Sequence, residues 1–166
     1  MYPASSNGLN QETDDAVYFF TPAFHPLDNF SAHAVRLWGV AFPTVEHAFH
    51  WKKFSNDRPD IAAEILGAKS PQVAKEISNT NKANWSSTWH SEKVSVMEEI
   101  LKAKAEQHEE VRDILKKTGS RQIIENSPVD NFWGIGPNKD GENMVGKIWM
   151  KIRDSKFTNN TLKKIL

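Results

Sequence analysis

Cysteine is absent from the 166 residues, which excludes disulfides, thiolate metal sites and a thiol nucleophile. No apolar run approaches the roughly 18 residues that a membrane span needs. The first residues also lack the apolar core of a signal peptide, so a cytoplasmic protein without membrane partners is expected. An excess of one charge is missing as well: 21 Lys and Arg balance 21 Asp and Glu. That balance removes the electrostatic ground for a general nucleic-acid or membrane-surface binder, and leaves room only for a local basic patch. No internal repeat, linker or strand–helix alternation of a doubly wound sheet is present. Tyrosine is scarce, at two against six Trp. So many tryptophans suggest a surface that stacks planar groups as well as a core.

The hydrophobic pattern places a polar, disordered tail over residues 1–15, one domain over 16–157 and an amphipathic tail over 158–166. Val17–Phe20 is a short aromatic strand, and residues 33–42 are a hairpin turning near Gly39. Thr44 caps a helix over Val45–Phe54. Arg58-Pro59 opens a second helix to Leu66, and Ser70-Pro71 a third to Ser78. Residues 79–84 form a polar loop. The longest helix runs to Gln107 with Trp89, Val96, Met97, Ile100, Leu101 and Lys104 along its buried stripe. A helix over Glu109–Lys117, a strand over Gln122–Glu125 and a helix over Glu142–Asp154 complete the domain. Many short helices with a few strands imply an α+β fold, predominantly helical, with a small antiparallel sheet.

Three places could carry chemistry. Glu46 sits in the first turn of its helix, where the macrodipole alone would favour it, yet it shares one face with His50 and Lys53 at i, i+4 and i+7. The His47-x-x-His50 pair lacks the i, i+4 spacing of zinc helices, so neither a metal nor a cofactor is expected. From Pro128 to Met150 an acid, Asp130, adjoins Phe132 and Trp133. A loop punctuated by Gly134, Gly136 and Gly141 then leads into a helix whose first N–H groups could meet an anion. The alternative is a tight turn over an aromatic plug. The loop matches neither a dinucleotide fingerprint nor a Walker loop, and no nucleophile elbow occurs. Two carboxylates, surplus tryptophan and an anion-friendly junction suit cleavage of a glycosidic bond to a planar base.

Ordered blocks sharpen this reading. They are Asp28-Asn-Phe-Ser31, Phe42-Pro-Thr-Val-Glu-His-Ala-Phe49 with Lys53-Phe54, Trp89, Met97, Lys102-Ala-Lys104, Glu106-Gln-His108, Ile124-Glu125, Asp130-Asn-Phe-Trp-Gly-Ile-Gly136, Gly141-Glu-Asn-Met-Val-Gly146, Met150 and Arg153. In order and spacing they resemble the NADAR (YbiA-like) family from about Tyr18 to Phe157. The resemblance implies an α+β fold and hydrolysis of N-glycosidic bonds, in phosphorylated ribosylamino-pyrimidine intermediates of riboflavin biosynthesis or in ADP-ribosylated guanine. It implies catalytic roles for Glu46, Asp130 and Trp89. Substrate contacts are then expected from Asn29, Phe30, Lys53, Lys82, Trp133, Gly134, Gly136 and Asn143. Residues 78–84 depart from the family's basic loop, with Lys82 as their one cation. The expected partner is a small phosphorylated ribosyl molecule, with nucleic acid only as a modified substrate and the protein a monomer. The alternatives are a non-catalytic ADP-ribose or nucleotide-binding module and a scaffold for a protein partner.

Overall fold

The computed structural model describes residues 8–20 and 25–162, the side chains of 156–162 excepted. The ends of both expected tails, 1–7 and 163–166, lie outside it. The architecture is α+β and rich in helix, in two compact units. One takes the described residues of Met1–Asp28 and Glu109–Leu166, and the other is Asn29–His108.

In the first unit, β2 (Ala16–Phe19) is the middle strand of three, between β1 (Gln11–Glu12) and β5 (Gln122–Glu125). Its Ala16, Val17 and Phe19 are buried, as a strand covered on both faces requires. β1 falls inside the stretch read as a polar tail. It is a two-residue exposed edge held by antiparallel pairing, Gln11 to Tyr18 and Glu12 to Val17, so its sequence needs no apolar face. β5 joins β2 in parallel, Val17 to Ile123 and Tyr18 to Ile124. The three-stranded sheet is therefore mixed, with antiparallel pairing confined to its β1 edge. Side-chain pattern carries no strand direction, and a parallel partner needs a long crossover; residues 20–121 supply it. After β5 the chain forms a loop and then α6 (Met144–Leu162), which buries Val145, Ile148, Trp149 and Ile152. No glycine or proline interrupts residues 147–162, so the helix runs past the stop expected at Asp154.

In the second unit, β3 (Val35–Leu37) and β4 (Val40–Phe42) are the expected antiparallel hairpin. Its two-residue turn places Trp38 at φ 52° and Gly39 at φ 76°, the conformation that suits a tight hairpin. Trp38 accepts this conformation while stacked on Trp51, with ring centroids 6.0 Å apart and planes at 13°. Its indole nitrogen donates to Glu99 Oε1 at 3.0 Å. The helices follow as α1 (Val45–Lys52), α2 (Pro59–Leu66), α3 (Pro71–Thr80) and α4 (Trp89–Gln107), with α5 (Glu109–Lys117) returning to the first unit. Thr44 and Ser70 cap α1 and α3 through their hydroxyls. The six residues expected along the buried stripe of α4 are all buried. The polar run 79–84 is more ordered than a loop. Thr80 Oγ1 donates to Glu76 O at 2.9 Å, the helix continues to Thr80, and Lys82–Asn84 forms a 3-10 turn. A core of Phe54, Ile61, Ala62, Ile65 and Ala74 is flanked by Trp51 and Trp85.

The tightest approach lies where α6 meets β5. A Cβ on Gly146 would collide with the Ile123 carbonyl and with the Asn143 amide. Gly146→Ala is therefore expected to destabilise the protein by about 2–4 kcal/mol, above the usual overpacking range because backbone cannot rotate away. Chemical denaturation at neutral pH measures it; a change below 0.5 kcal/mol would contradict the packing described.

Candidate functional site

α1 starts abruptly. Thr44 is extended (φ −147°, ψ 166°) and its Oγ1 accepts the His47 N–H at 3.3 Å, which turns the next residues inward. Val45 to His50 are all buried, an unusual fate for Glu and two His. His47 spends both ring nitrogens on the protein, Nδ1 against Thr44 Oγ1 at 2.9 Å and Nε2 against the Ala68 carbonyl at 3.1 Å. It is a structural histidine tying α1 to the end of α2.

The face expected to carry Glu46, His50 and Lys53 exists, and it is buried. His50 Nε2 lies 2.9 Å from Glu46 Oε1. Burial pushes the Glu46 carboxyl up, but the His50 bond and field, with Lys75 and Lys53, outweigh it, and the group is held below the usual carboxylate range. Burial pushes His50 down, and the opposing pull of Glu46 does not restore it. The pair is thus an ionised carboxylate and a neutral imidazole donating its Nε2 hydrogen. Lys53 is 3% exposed. Its ammonium lies 3.9 Å from the ring centroid of Trp85, 5.0 Å from that of Phe49 and 5.3 Å from that of Trp89. Burial lowers it to about 7, with Glu46 pulling the other way and Lys75, Lys82 and Lys93 adding to the depression. Three ring faces repay part of the desolvation.

Asn29 delivers its backbone carbonyl to the Glu46 N–H at 3.2 Å. Its side-chain nitrogen rests against Met97 Sδ at 3.7 Å and its buried Oδ1 has no partner among the described residues. Phe30, next to it, is half-buried. Trp89 is 2% exposed and meets Phe49 edge to face at 4.9 Å, so its ring is a wall of the cluster. Trp85 is the partly exposed member, anchored by its indole N–H to Ser78 O at 3.1 Å. Lys82 is exposed, its Nζ 5.4 Å from the Trp85 centroid.

Residues 130–146 belong to the first unit and are organised by self-packing. Asp130 Oδ1 accepts the N–H groups of Phe132 at 2.9 Å and Trp133 at 2.8 Å, the side-chain-to-backbone turn that Asp favours. Phe132 and Trp133 pack edge to face at 4.9 Å. The N–H groups expected to face an anion are taken by the loop's own carbonyls. Glu142 donates to Asn131, Asn143 to Gly134, Met144 to Phe132 and Val145 to Trp133, at 2.7 to 3.0 Å. The Asn143 amide is likewise occupied: Oδ1 accepts from Glu125 N and Nδ2 donates to Ile123 O, each at 2.9 Å. The lack of room for a Cβ explains the glycines. A Cβ at Gly134 would sit 2.7 Å from Glu125 O, and at Gly136 2.8 Å from the Asn131 side chain. The helix-start donors expected to meet an anion thus close the turn, because buried backbone N–H groups are satisfied by nearby carbonyls.

The structure therefore brings together Asn29, Glu46, Lys53 and Trp89, with Phe30 and Lys82 in the same unit. Asp130, Trp133, Gly134, Gly136 and Asn143 lie in the other. Lys75 and Lys93 went unnoticed in the sequence, since single lysines on separate helices give no spacing signal. Trp85 has no spacing signal beyond the surplus of tryptophan.

Comparisons with known proteins give matches over most of the chain. The NADAR domain model matches residues 10–155. The chain is 32% identical to "N-glycosidase YbiA" of Shigella flexneri serotype 5b over 144 residues, 87% of this chain and 89% of that one. It is 33% identical to the chloroplastic "Riboflavin biosynthesis protein PYRR" of maize over 143 residues, 78% of this chain and 23% of that protein. The solution structure of Escherichia coli YbiA superposes with a TM-score of 0.79 at 28% identity, covering 92% of this chain and 91% of that one.

Lys53 gives a pH-dependent stability. Its folded pKa lies below its unfolded value, so between about 7 and 10.5 the unfolded chain binds the extra proton and stability rises with pH. The penalty is full below pH 7. Lys53→Met is therefore expected to raise the unfolding free energy at pH 6 by about 1–3 kcal/mol, with the gain shrinking toward pH 10. Urea titrations at both pH values test it; a loss of stability that is equal at both would refute it.

Proposed function

The chain belongs to the NADAR domain family, and from that premise we propose that it hydrolyses the N-glycosidic bond between a base and a phosphorylated ribose. The carrying observation is the buried, ionised Glu46 bonded to a neutral His50 at 2.9 Å. Hydrolysis breaks the bond from the anomeric carbon to the base nitrogen, which leaves carrying a proton, and forms a bond from that carbon to a water oxygen, whose own proton is given up. A carboxylate that stays ionised is suited to take the proton from that water and to face the oxocarbenium-like centre. Its depressed pKa makes it a poor proton donor at neutral pH. Glu46 is thus assigned the base and charge-stabilising role, a choice that its position in the sequence leaves open.

Lys53, Lys75, Lys82 and Lys93 act together on one point beside Glu46, which supports recognition of an anionic group on the substrate. Trp85, the partly exposed ring, is proposed to lie against the planar base. Trp89 and Phe49 form the wall behind the Lys53 ammonium. Asn29 and Phe30 keep their proposed substrate contacts, the Asn29 Oδ1 as an acceptor for a sugar hydroxyl. Asp130 enters as the second carboxylate through the family motif; its local geometry supports a turn-holding role. Relatives named for riboflavin biosynthesis favour a ribosylamino-pyrimidine phosphate, and ADP-ribosylated guanine has the same linkage of base to phosphorylated ribose.

Release of free base and ribose phosphate from a ribosylamino-pyrimidine 5′-phosphate is the direct assay. Glu46→Gln is expected to lower kcat by about 10²–10⁴-fold with the melting temperature retained; undiminished turnover in the folded variant would sink the assignment. Asp130→Asn separates two roles, because Asn Oδ1 still accepts both turn N–H groups. A kcat loss of about 10²-fold or more without loss of stability would assign the carboxylate charge to the reaction, whereas wild-type turnover would confine Asp130 to the turn.

A further inference from the structure

His50 is 4% exposed, and its two nitrogens have unequal fates. Nε2 meets Glu46 Oε1 at 2.9 Å, while the buried Nδ1 has no partner among the described residues. An imidazole with one unsatisfied buried nitrogen is a poor core residue, since an apolar side chain of similar size would fill the space without stranding a polar atom. Packing therefore does not account for it, and its one polar contact among the described residues is with the carboxylate. The neighbouring Phe49 ring stands edge to face at 5.5 Å and holds the imidazole plane. The charged groups acting on the pair are Lys53 at the C-terminal cap of α1 and Lys75 on α3, with Lys82 and, from α4, Lys93 also acting on Lys53.

We propose that His50 is the positioning residue of Glu46: its Nε2–H holds Oε1, so that the carboxylate is kept ionised and its other oxygen, Oε2, is presented to the reacting water. The proposal rests on the reading of Glu46 as the base. His50 itself touches neither substrate nor water in this role, and no proton leaves it during the reaction. One hydrogen bond donated to a carboxylate in a desolvated site favours the charged form. Removing it leaves burial less opposed, so the Glu46 pKa rises and the enzyme loses its base at a higher pH. A glutamine at this position would keep a donor of nearly the same reach, whereas leucine would keep the volume alone.

The test compares wild type, His50→Gln, His50→Leu and Glu46→Gln. It uses the pH dependence of kcat/KM on a ribosylamino-pyrimidine 5′-phosphate, carbon NMR titration of the Glu46 carboxyl, and melting temperature. The expected result is an acidic limb moved upward by about one pH unit or more in His50→Leu, matched by the carboxyl titration and restored in His50→Gln. An acidic limb and a carboxyl titration unchanged in folded His50→Leu would overturn the proposal, and with Glu46→Gln inactive the reading of Glu46 would still stand. A fully active Glu46→Gln would remove that reading, and His50 with it. If His50→Leu does not fold, His50→Asn, whose amide is too short to reach Oε1, carries the same comparison with the same two outcomes.

Discussion

The burial of Glu46 in the first turn of α1 is the constraint on which the candidate site depends. An ionised carboxylate out of water needs hydrogen-bond donors and positive charge close by. The helix supplies the first through His50 one turn on and the second through Lys53 two turns on. Lys53 is then itself a buried cation, and Phe49, Trp85 and Trp89 offer it ring faces in place of water. Each desolvated group creates the need for the next. The result is a charge cluster in which Glu46 and His50 are held below their ordinary ranges and Lys53 is lowered to about 7, the condition in which acid–base chemistry is commonly run at neutral pH.

The glycine-rich segment answers a different constraint. It must lead from β5 into α6 in a short space, and α6 must lie close enough to β5 for Gly146 to face the Ile123 carbonyl. Asn143 makes that possible by adopting φ 50° and lending its amide to the β5 backbone on both sides. Asp130 fixes the other end of the turn. The donors that make such a junction look like an anion cradle in sequence are the same donors that close it. The positive charge that acts on Lys53 comes from Lys75, Lys82 and Lys93 on other elements.

Local rules were legible where the chemistry was local. Thr44 and Ser70 as caps, the positive-φ turn at Gly39 and the buried stripe of α4 all follow from short-range sterics and periodicity. The family blocks made the α+β class and the family itself readable as well. The parallel pairing of β5 was not, because an isolated four-residue strand says nothing of its partner's direction. The polar run 79–84 misled for a related reason: side chains such as Thr80 that favour loops in general can also bond back to a helix that tertiary packing has already extended.

By itself, the sequence determined that Glu46, His50 and Lys53 share one helical face, because a 3.6-residue period fixes that geometry wherever the helix forms. It also determined the punctuation of the helices and the family to which the chain belongs. Only the tertiary structure decided that this face is buried. That decision turned a favourable first-turn carboxylate into a perturbed one paired with a neutral imidazole. It also gathered Lys75, Lys82 and Lys93 around Lys53 and directed the glycine loop's donors inward. The physical reason is that desolvation and convergent charge depend on what packs from distant parts of the chain, and periodicity along one element carries no record of it.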